Sequence, residues 1–153
     1  MAQNLDEIDR RILTALQRDS ARSQREQAEA VGLSQNAYWR RLKALEASGV
    51  ITGYQARLDP QAVGASLIVF SMVRTRSHSA DWLKRFRTHI ATIPEVIGFY
   101  RIGGDYDYLL KIATSDMASY DRVYQRIIEK IELETITSYF TMETILDDRA
   151  LPV

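Results

Sequence analysis

The sequence predicts a two-domain α+β chain. A helix-turn-helix unit occupies residues 1–50, a connector 51–64, and a βαββαβ unit 65–153. Three observations carry this reading. From Leu5 to Gly49 apolar residues recur every three or four positions, which is the period of helices. From Ala65 onward, apolar strand-like runs alternate with amphipathic stretches. Between them lies GVITGYQARLDPQAVG, with glycines at 49, 53 and 64 and a proline at 60, the composition of a connector with room for a short strand.

The elements follow in order. Leu5, Ile8, Ile12 and Leu16 form one stripe of a helix from Asp6 to Arg18, with Asp6 as its N-cap. Ser23 and Glu26 have the S-x-x-E spacing of a capping box, so a second helix starts at Ser23 and stops at Gly32. Ser34 caps a third helix that runs to Ser48, where Gly49 ends it. In the second half, Leu67–Val73 reads as a strand and Ser79–Ile93 as a helix with Trp82, Phe86 and Ile90 on one face. Val96–Ile102 and Tyr108–Ala113 read as strands joined by a turn at Gly103, Gly104 and Asp105. Asp116–Ile131 is a helix with Tyr120, Tyr124, Ile127 and Ile131 in register, and Ile136–Ile145 alternates as a strand does. This order gives a four-stranded antiparallel sheet with both helices on one face. The other face is left bare and apolar enough to favour a dimer.

Composition removes several classes of function. The 20 basic and 20 acidic residues cancel, unlike a non-specific nucleic-acid coat, although a sequence reader needs positive charge only on one face. Without cysteine there is no disulfide, thiolate metal site or cysteine nucleophile. His78 and His89 stand eleven residues apart and make a poor metal pair, His78 reading as a loop residue and His89 as an exposed helix residue. No phosphate-cradling loop or nucleophile elbow is present, so neither a cofactor nor an enzyme is expected. No stretch approaches the ~18 apolar residues of a membrane span. The opening MAQNLDEIDRR lacks the build of a signal peptide, so a cytoplasmic protein is expected.

Two chemistries remain. Short helix, glycine turn and second helix is the plan that places a recognition helix in the major groove of DNA. Ala28 allows close approach, Gly32 supplies the turn, and Tyr38, Leu42 and Leu45 form the buried stripe of the third helix. Gln35, Asn36 and Arg40 are the candidates for bases, since Asn and Gln suit adenine and Arg suits guanine. Arg41 and Lys43 are candidates for phosphates or neighbouring bases, and Ser34 with the helix N-terminus for a phosphate. Trp39 is divided between packing inward and touching sugar and phosphate. The second chemistry lies in Gly103, Gly104, Asp105, Tyr106 and Asp107. This is a hairpin turn first, but its glycines expose N–H groups suited to a carboxylate, and its aspartates accept from an ammonium.

These residues carry a resemblance. LDEIDRRILTALQRDSARSQREQAEAVGLSQNAYWRRLKALEASGVITGY is similar to the N-terminal half of Lrp/AsnC (leucine-responsive/asparagine-responsive) transcription regulators. PEVIGFYRIGGDYDYLLKI and TSYFTMETI are similar to their C-terminal domain for regulation of amino-acid metabolism. The resemblance implies a winged-type helix-turn-helix, a ferredoxin-like domain and no catalysis. It also implies dimers assembling to octamers (tetramers of dimers) on nucleoid DNA, with an amino-acid effector bound between dimers. It adds Gly103, Asp105, Tyr106 and Asp107 to the effector pocket, and more loosely Thr135, Thr137 and Ser138. Trp39 before two arginines, HSADWLKRF and ALPV resemble the subgroup that activates cysteine or proline breakdown genes. That subgroup often has Pro-Cys-Trp where this chain has Ala37, Tyr38 and Trp39. Tyr38 stands where such motifs usually carry Val or Ile, so its hydroxyl must reach a partner or solvent. The competing reading is a small-molecule-binding or enzymatic ferredoxin-like dimer whose N-terminal helices mediate protein contacts.

Overall fold

The computed structural model describes residues 4–153 and divides into two compact units. One consists of Met1–Arg57 with Ile145–Val153, the other of Leu58–Thr144. The first unit thus extends past the expected boundary at residue 50, and it takes in nine residues that the sequence reading assigns to the second domain. No helix among the described residues is long and apolar enough to cross a membrane.

The first unit holds α1 (Glu7–Arg18), α2 (Gln24–Ala30) and α3 (Gln35–Ala47). Each starts at a side-chain cap, because the first backbone N–H groups of a helix have no partner of their own. Asp6 and Asp9 make a reciprocal capping box on α1, Ser23 and Glu26 make the expected one on α2, and Ser34 accepts from the Ala37 N–H on α3. Ile12, Leu13, Ala28, Val31, Tyr38, Leu42 and Leu45 form one core. Burying one such aliphatic side chain is worth about 1.5–3 kcal/mol, so this core holds helices too short to stand alone. Gly32 turns the chain between α2 and α3 with a φ of 68°, where a side chain is strained. A Cβ there would also meet the Arg11 guanidinium at 3.3 Å, the group that donates to the Val31 carbonyl. The connector forms no strand, although its composition left room for a short one.

The second unit holds β1 (Leu67–Arg74), α4 (Ala80–Ile90), β2 (Val96–Arg101), β3 (Tyr108–Thr114), α5 (Met117–Ile128) and β4 (Thr135–Phe140). The strands lie in the order β2-β3-β1-β4, antiparallel throughout. This is the ferredoxin-like arrangement. Val69, Val73, Leu110 and Ile112 face Phe86, Ile90, Val123 and Ile127 in a core that spans sheet and helices. Phe86 is its centre, with ring centroids of Trp82 at 4.9 Å, Phe99 at 5.1 Å and Tyr108 at 5.4 Å. On the strands' other face, Tyr100 and Tyr139 stay 52% and 55% exposed, large apolar surface without a cover within the unit.

Three ends differ from expectation by three residues or more, the first being that of α5, which stops at Ile128 rather than Ile131. The last strand stops at Phe140 rather than Ile145, because the Thr141 N–H and hydroxyl both donate to the Ile68 carbonyl and close the ladder there. Helix α4 ends at Ile90, three residues short, where Thr92 and Ile93 turn back to the His89 and Ile90 carbonyls. His89 is half-buried rather than exposed, its Nε2 lying 2.7 Å from the Arg126 carbonyl.

Candidate functional site

The helix-turn-helix presents α3 with one face in the core and the other outward. Tyr38, Leu42 and Leu45 are buried, while Ser34, Gln35, Asn36, Trp39 and Arg40 are exposed. Trp39 is 49% exposed and lines a depression of about 440 Å³ with Asn36, Ala37 and Arg40. Its ring is thus half-exposed on the outer side of α3. The Ser34 hydroxyl accepts from the Ala37 N–H at 3.3 Å, so its oxygen is already partly used in capping.

The basic residues of α3 divide by their partners. Arg41 reaches back to α1, where one guanidinium nitrogen donates to Asp6 at 2.7 Å and Asp9 at 2.8 Å. Lys43 lies 2.6 Å from Glu46 on its own helix. Arg40 has no protein partner among the described residues. The sequence reading groups Arg41 with the outward cations, but its 30% exposed side chain braces the recognition helix against α1.

The brace titrates. The Asp9 backbone N–H, and after it the Arg41 guanidinium, hold the Asp6 carboxyl below the ordinary carboxylate range. A carboxyl depressed on folding stabilises above its unfolded pKa and loses that contribution as pH falls through the folded one. The melting temperature is therefore expected to fall below about pH 4. Asp6→Asn keeps the cap acceptor and drops the charge, so it should lower the melting temperature at pH 7 and differ less from wild type at pH 3. Equal differences at both values would contradict the brace. Behind α3, Tyr54 donates to Glu46 at 2.9 Å, and burial with the Glu46 charge pushes its phenol up to about 12. The Tyr38 phenol is pushed up as well, by burial and then by Glu46.

In the second unit, the residues from Ile102 to Asp107 link β2 to β3 in a broad loop, closed by the Ile102 N–H donating to the Asp107 carbonyl at 2.9 Å. Gly104 has a φ of 120°, open to glycine and rarely to other residues. The loop meets β4 directly, since the Tyr106 hydroxyl donates to Thr137 Oγ1 at 3.3 Å. Arg74, at the end of β1, clamps it from beneath. Its Nε donates to the Asp105 carbonyl at 2.7 Å, and its guanidinium lies 5.4 Å from the Tyr106 ring centroid. Sequence reasoning passed over Arg74, although the alternation of LIVFSMVR already puts it on the face of Phe70 and Met72. The register then sets it opposite Thr135.

Not every candidate joins this cluster. One Asp107 oxygen accepts from the Thr75 N–H at 2.8 Å and the other lies 3.9 Å from His78 Nδ1, so this carboxylate fastens the loop. The Ser138 hydroxyl turns to the core side of the sheet, where it meets Ser71 of β1 at 3.0 Å and the Tyr120 hydroxyl of α5. Asp105 stays exposed, and among the described residues no protein group pairs with its carboxylate. Among the described residues no cluster of three or more His, Cys, Asp or Glu is arranged to hold a metal.

An outward recognition helix on a braced three-helix unit, followed by a ferredoxin-like domain with an open polar loop, defines a ligand-responsive DNA-binding regulator. Residues 5–52 match the winged helix-turn-helix DNA-binding domain, and residues 68–151 match the Lrp/AsnC ligand binding domain. The chain is 42% identical over 150 residues to the DNA-binding transcriptional activator DecR of Escherichia coli K12, covering 97% of this chain and 99% of the relative. It superposes on an AsnC family transcriptional regulator from Agrobacterium tumefaciens with a TM-score of 0.94 at 45% identity, covering 97% of both chains. A transcriptional regulator from Neisseria meningitidis, solved as a complex with L-methionine, gives 0.90 at 30% identity, again with 97% of both chains covered. The chain belongs to the Lrp/AsnC family of transcription regulators. It is a DNA-binding regulator with a ligand-binding domain, and its relatives are regulators rather than enzymes.

Proposed function

We propose that this protein is an amino-acid-responsive regulator of amino-acid metabolism genes, working in the cytoplasm on nucleoid DNA. Gln35, Asn36 and Arg40 read bases in the major groove, Trp39 contacts sugar and phosphate beside them, and Ser34 and Lys43 approach phosphates. Arg41 sets the angle of α3 from behind. Two chains pair through the exposed sheet face, which places two recognition helices on half-sites about one DNA turn apart or a multiple of it. Dimers gather into octamers.

The observation that carries the sensing half is the Tyr106–Thr137 hydrogen bond, which joins the glycine loop to β4 above Arg74. A small amino acid placed there meets loop N–H groups at Gly103 and Gly104 with its carboxylate. Asp105 accepts from its ammonium group, and Thr135 and Thr137 line the far side. Asp107 acts by holding the loop, and Ser138 by fixing β4 to β1 and α5. A ligand between dimers stabilises one packing over another, and the coupling to DNA is reciprocal. Cysteine and proline are the first effectors to assay, from the subgroup resemblance; the methionine complex of the Neisseria protein adds a third.

A thermal-shift series with the twenty amino acids tests this. An effector at a hundred times its Kd stabilises by about 2.7 kcal/mol, a readily measured rise in melting temperature. Asp105→Ala should remove most of that rise while leaving the unliganded melting temperature nearly unchanged. A full response in Asp105→Ala would discard the loop as the site.

A further inference from the structure

The segment Ile145–Val153 follows β4 in sequence yet packs with the helix-turn-helix unit. Two anchors hold it. The Gln17 carboxamide on α1 binds one residue in both directions: Nε2 donates to the Leu151 carbonyl at 3.0 Å, and the Leu151 N–H donates to Oε1 at 2.7 Å. A side chain here does the work of a neighbouring strand, and it recognises backbone, since the Leu151 side chain is 74% exposed. The second anchor is Arg57, whose guanidinium donates to the Asp148 carbonyl at 2.8 Å. Asp148 has a φ of 58°, the left-handed value that non-glycine residues rarely take. Further along, Val153 shares a shallow pocket with Arg10, Thr14 and Arg18 of α1.

We propose that this segment is a strap through which ligand binding at the sheet is transmitted to the reader helices. The proposal rests on the effector site set out above. The chain passes between the two units twice, after Arg57 and after Thr144. The second passage begins only four residues, Thr141–Thr144, beyond the end of β4. β4 is thus the strand that bears Thr135 and Thr137 and also continues into the strap. A ligand that shifts β4 moves the strap's root directly. The anchors suit a switch, because exposed hydrogen bonds are individually weak and a ligand's differential affinity can bias their making and breaking.

Arg149 lies between the anchors and is exposed, so trypsin cleavage after it reports the strap's state in the full-length chain. Proteases need an extended segment on both sides of the bond, and docking at Leu151 denies them this. Gln17→Ala removes both hydrogen bonds and favours helix. It should raise the rate of cleavage at Arg149–Ala150 at least several-fold, with the circular dichroism unchanged. Leu151→Pro, which removes the donor from the strap side, should do the same. DNA affinity is then measured with a duplex selected in vitro against the wild-type protein, with and without L-cysteine, L-proline and L-methionine. In Gln17→Ala the unliganded affinity should stay within about two-fold of wild type, and the ligand thermal shift should persist. The ligand-dependent change in DNA affinity should fall toward one. Unchanged cleavage in both variants would overturn docking, and an undiminished ligand effect with a freely cleaved strap would overturn transmission. If wild type itself shows neither a thermal shift nor a DNA response to any ligand, the effector reading fails, and transmission with it.

Discussion

Replacing Arg40 with alanine is expected to weaken binding to the preferred DNA site by roughly 5- to 150-fold, the range for losing one bidentate contact to a base of about 1–3 kcal/mol. The expectation follows from how charge is distributed on α3. Arg41 is bound by Asp6 and Asp9, and Lys43 by Glu46, which leaves Arg40 as the cation of that helix with no protein partner to give up before it meets DNA. It stands one residue beyond Trp39 in the depression shared with Asn36. Titrations across salt concentration separate its two possible targets. A guanine contact predicts relaxed specificity at one position, whereas a phosphate contact predicts a uniform loss with a shallower salt slope. Arg41→Ala is the informative companion, because a brace acts on every sequence alike and lowers the melting temperature as well. If Arg40→Ala binds with wild-type affinity and salt slope, α3 does not read DNA in the manner described.

The largest effect on stability is expected at Phe86. Its side chain is fully buried and touches three rings at centroid separations of 4.9 to 5.4 Å. Truncation to alanine removes the transfer free energy of the ring and leaves a cavity between two rigid layers, a loss of about 3–5 kcal/mol. Urea unfolding followed by tryptophan fluorescence in a Trp39→Phe background reports the site, since the Trp82 indole lies against Phe86. Phe86→Leu should lose less, because the residual cavity is smaller. A cost under about 1 kcal/mol for the alanine variant would mean that α4 collapses onto the sheet more freely than so densely packed a core allows.

Most of the fold was legible because its determinants are local. The Ser23/Glu26 box, the Ser34 cap and the Gly32 turn are each decided within four residues, and all lie where the spacing puts them. The strand alternation of Tyr108–Thr114 is likewise a period-two signal needing no partner. Strand and helix ends were less legible. Ile136–Ile145 alternates to its end in sequence, but pairing stops where Thr141 closes on Ile68, a residue over seventy positions away. The site divides in the same way. Gln35, Asn36, Trp39 and Arg40 are outward because the apolar stripe of their own helix turns them so. For Arg41 the same pattern was misleading, since its partners stand on another helix, over thirty residues away in the chain.

By itself, then, the sequence determined the fold class of each half, the order of the elements, the outward face of the recognition helix and the glycine-rich loop, because caps, turns and apolar periods act over a few residues. Tertiary structure alone decided which charges remain available and which are consumed. Pairing brought Thr137 to Tyr106 and Arg74 under the loop, turned Ser138 to the core side of the sheet, and laid the segment after β4 along α1. Those outcomes depend on contacts between residues distant in the chain, and composition carries no record of which distant groups will meet.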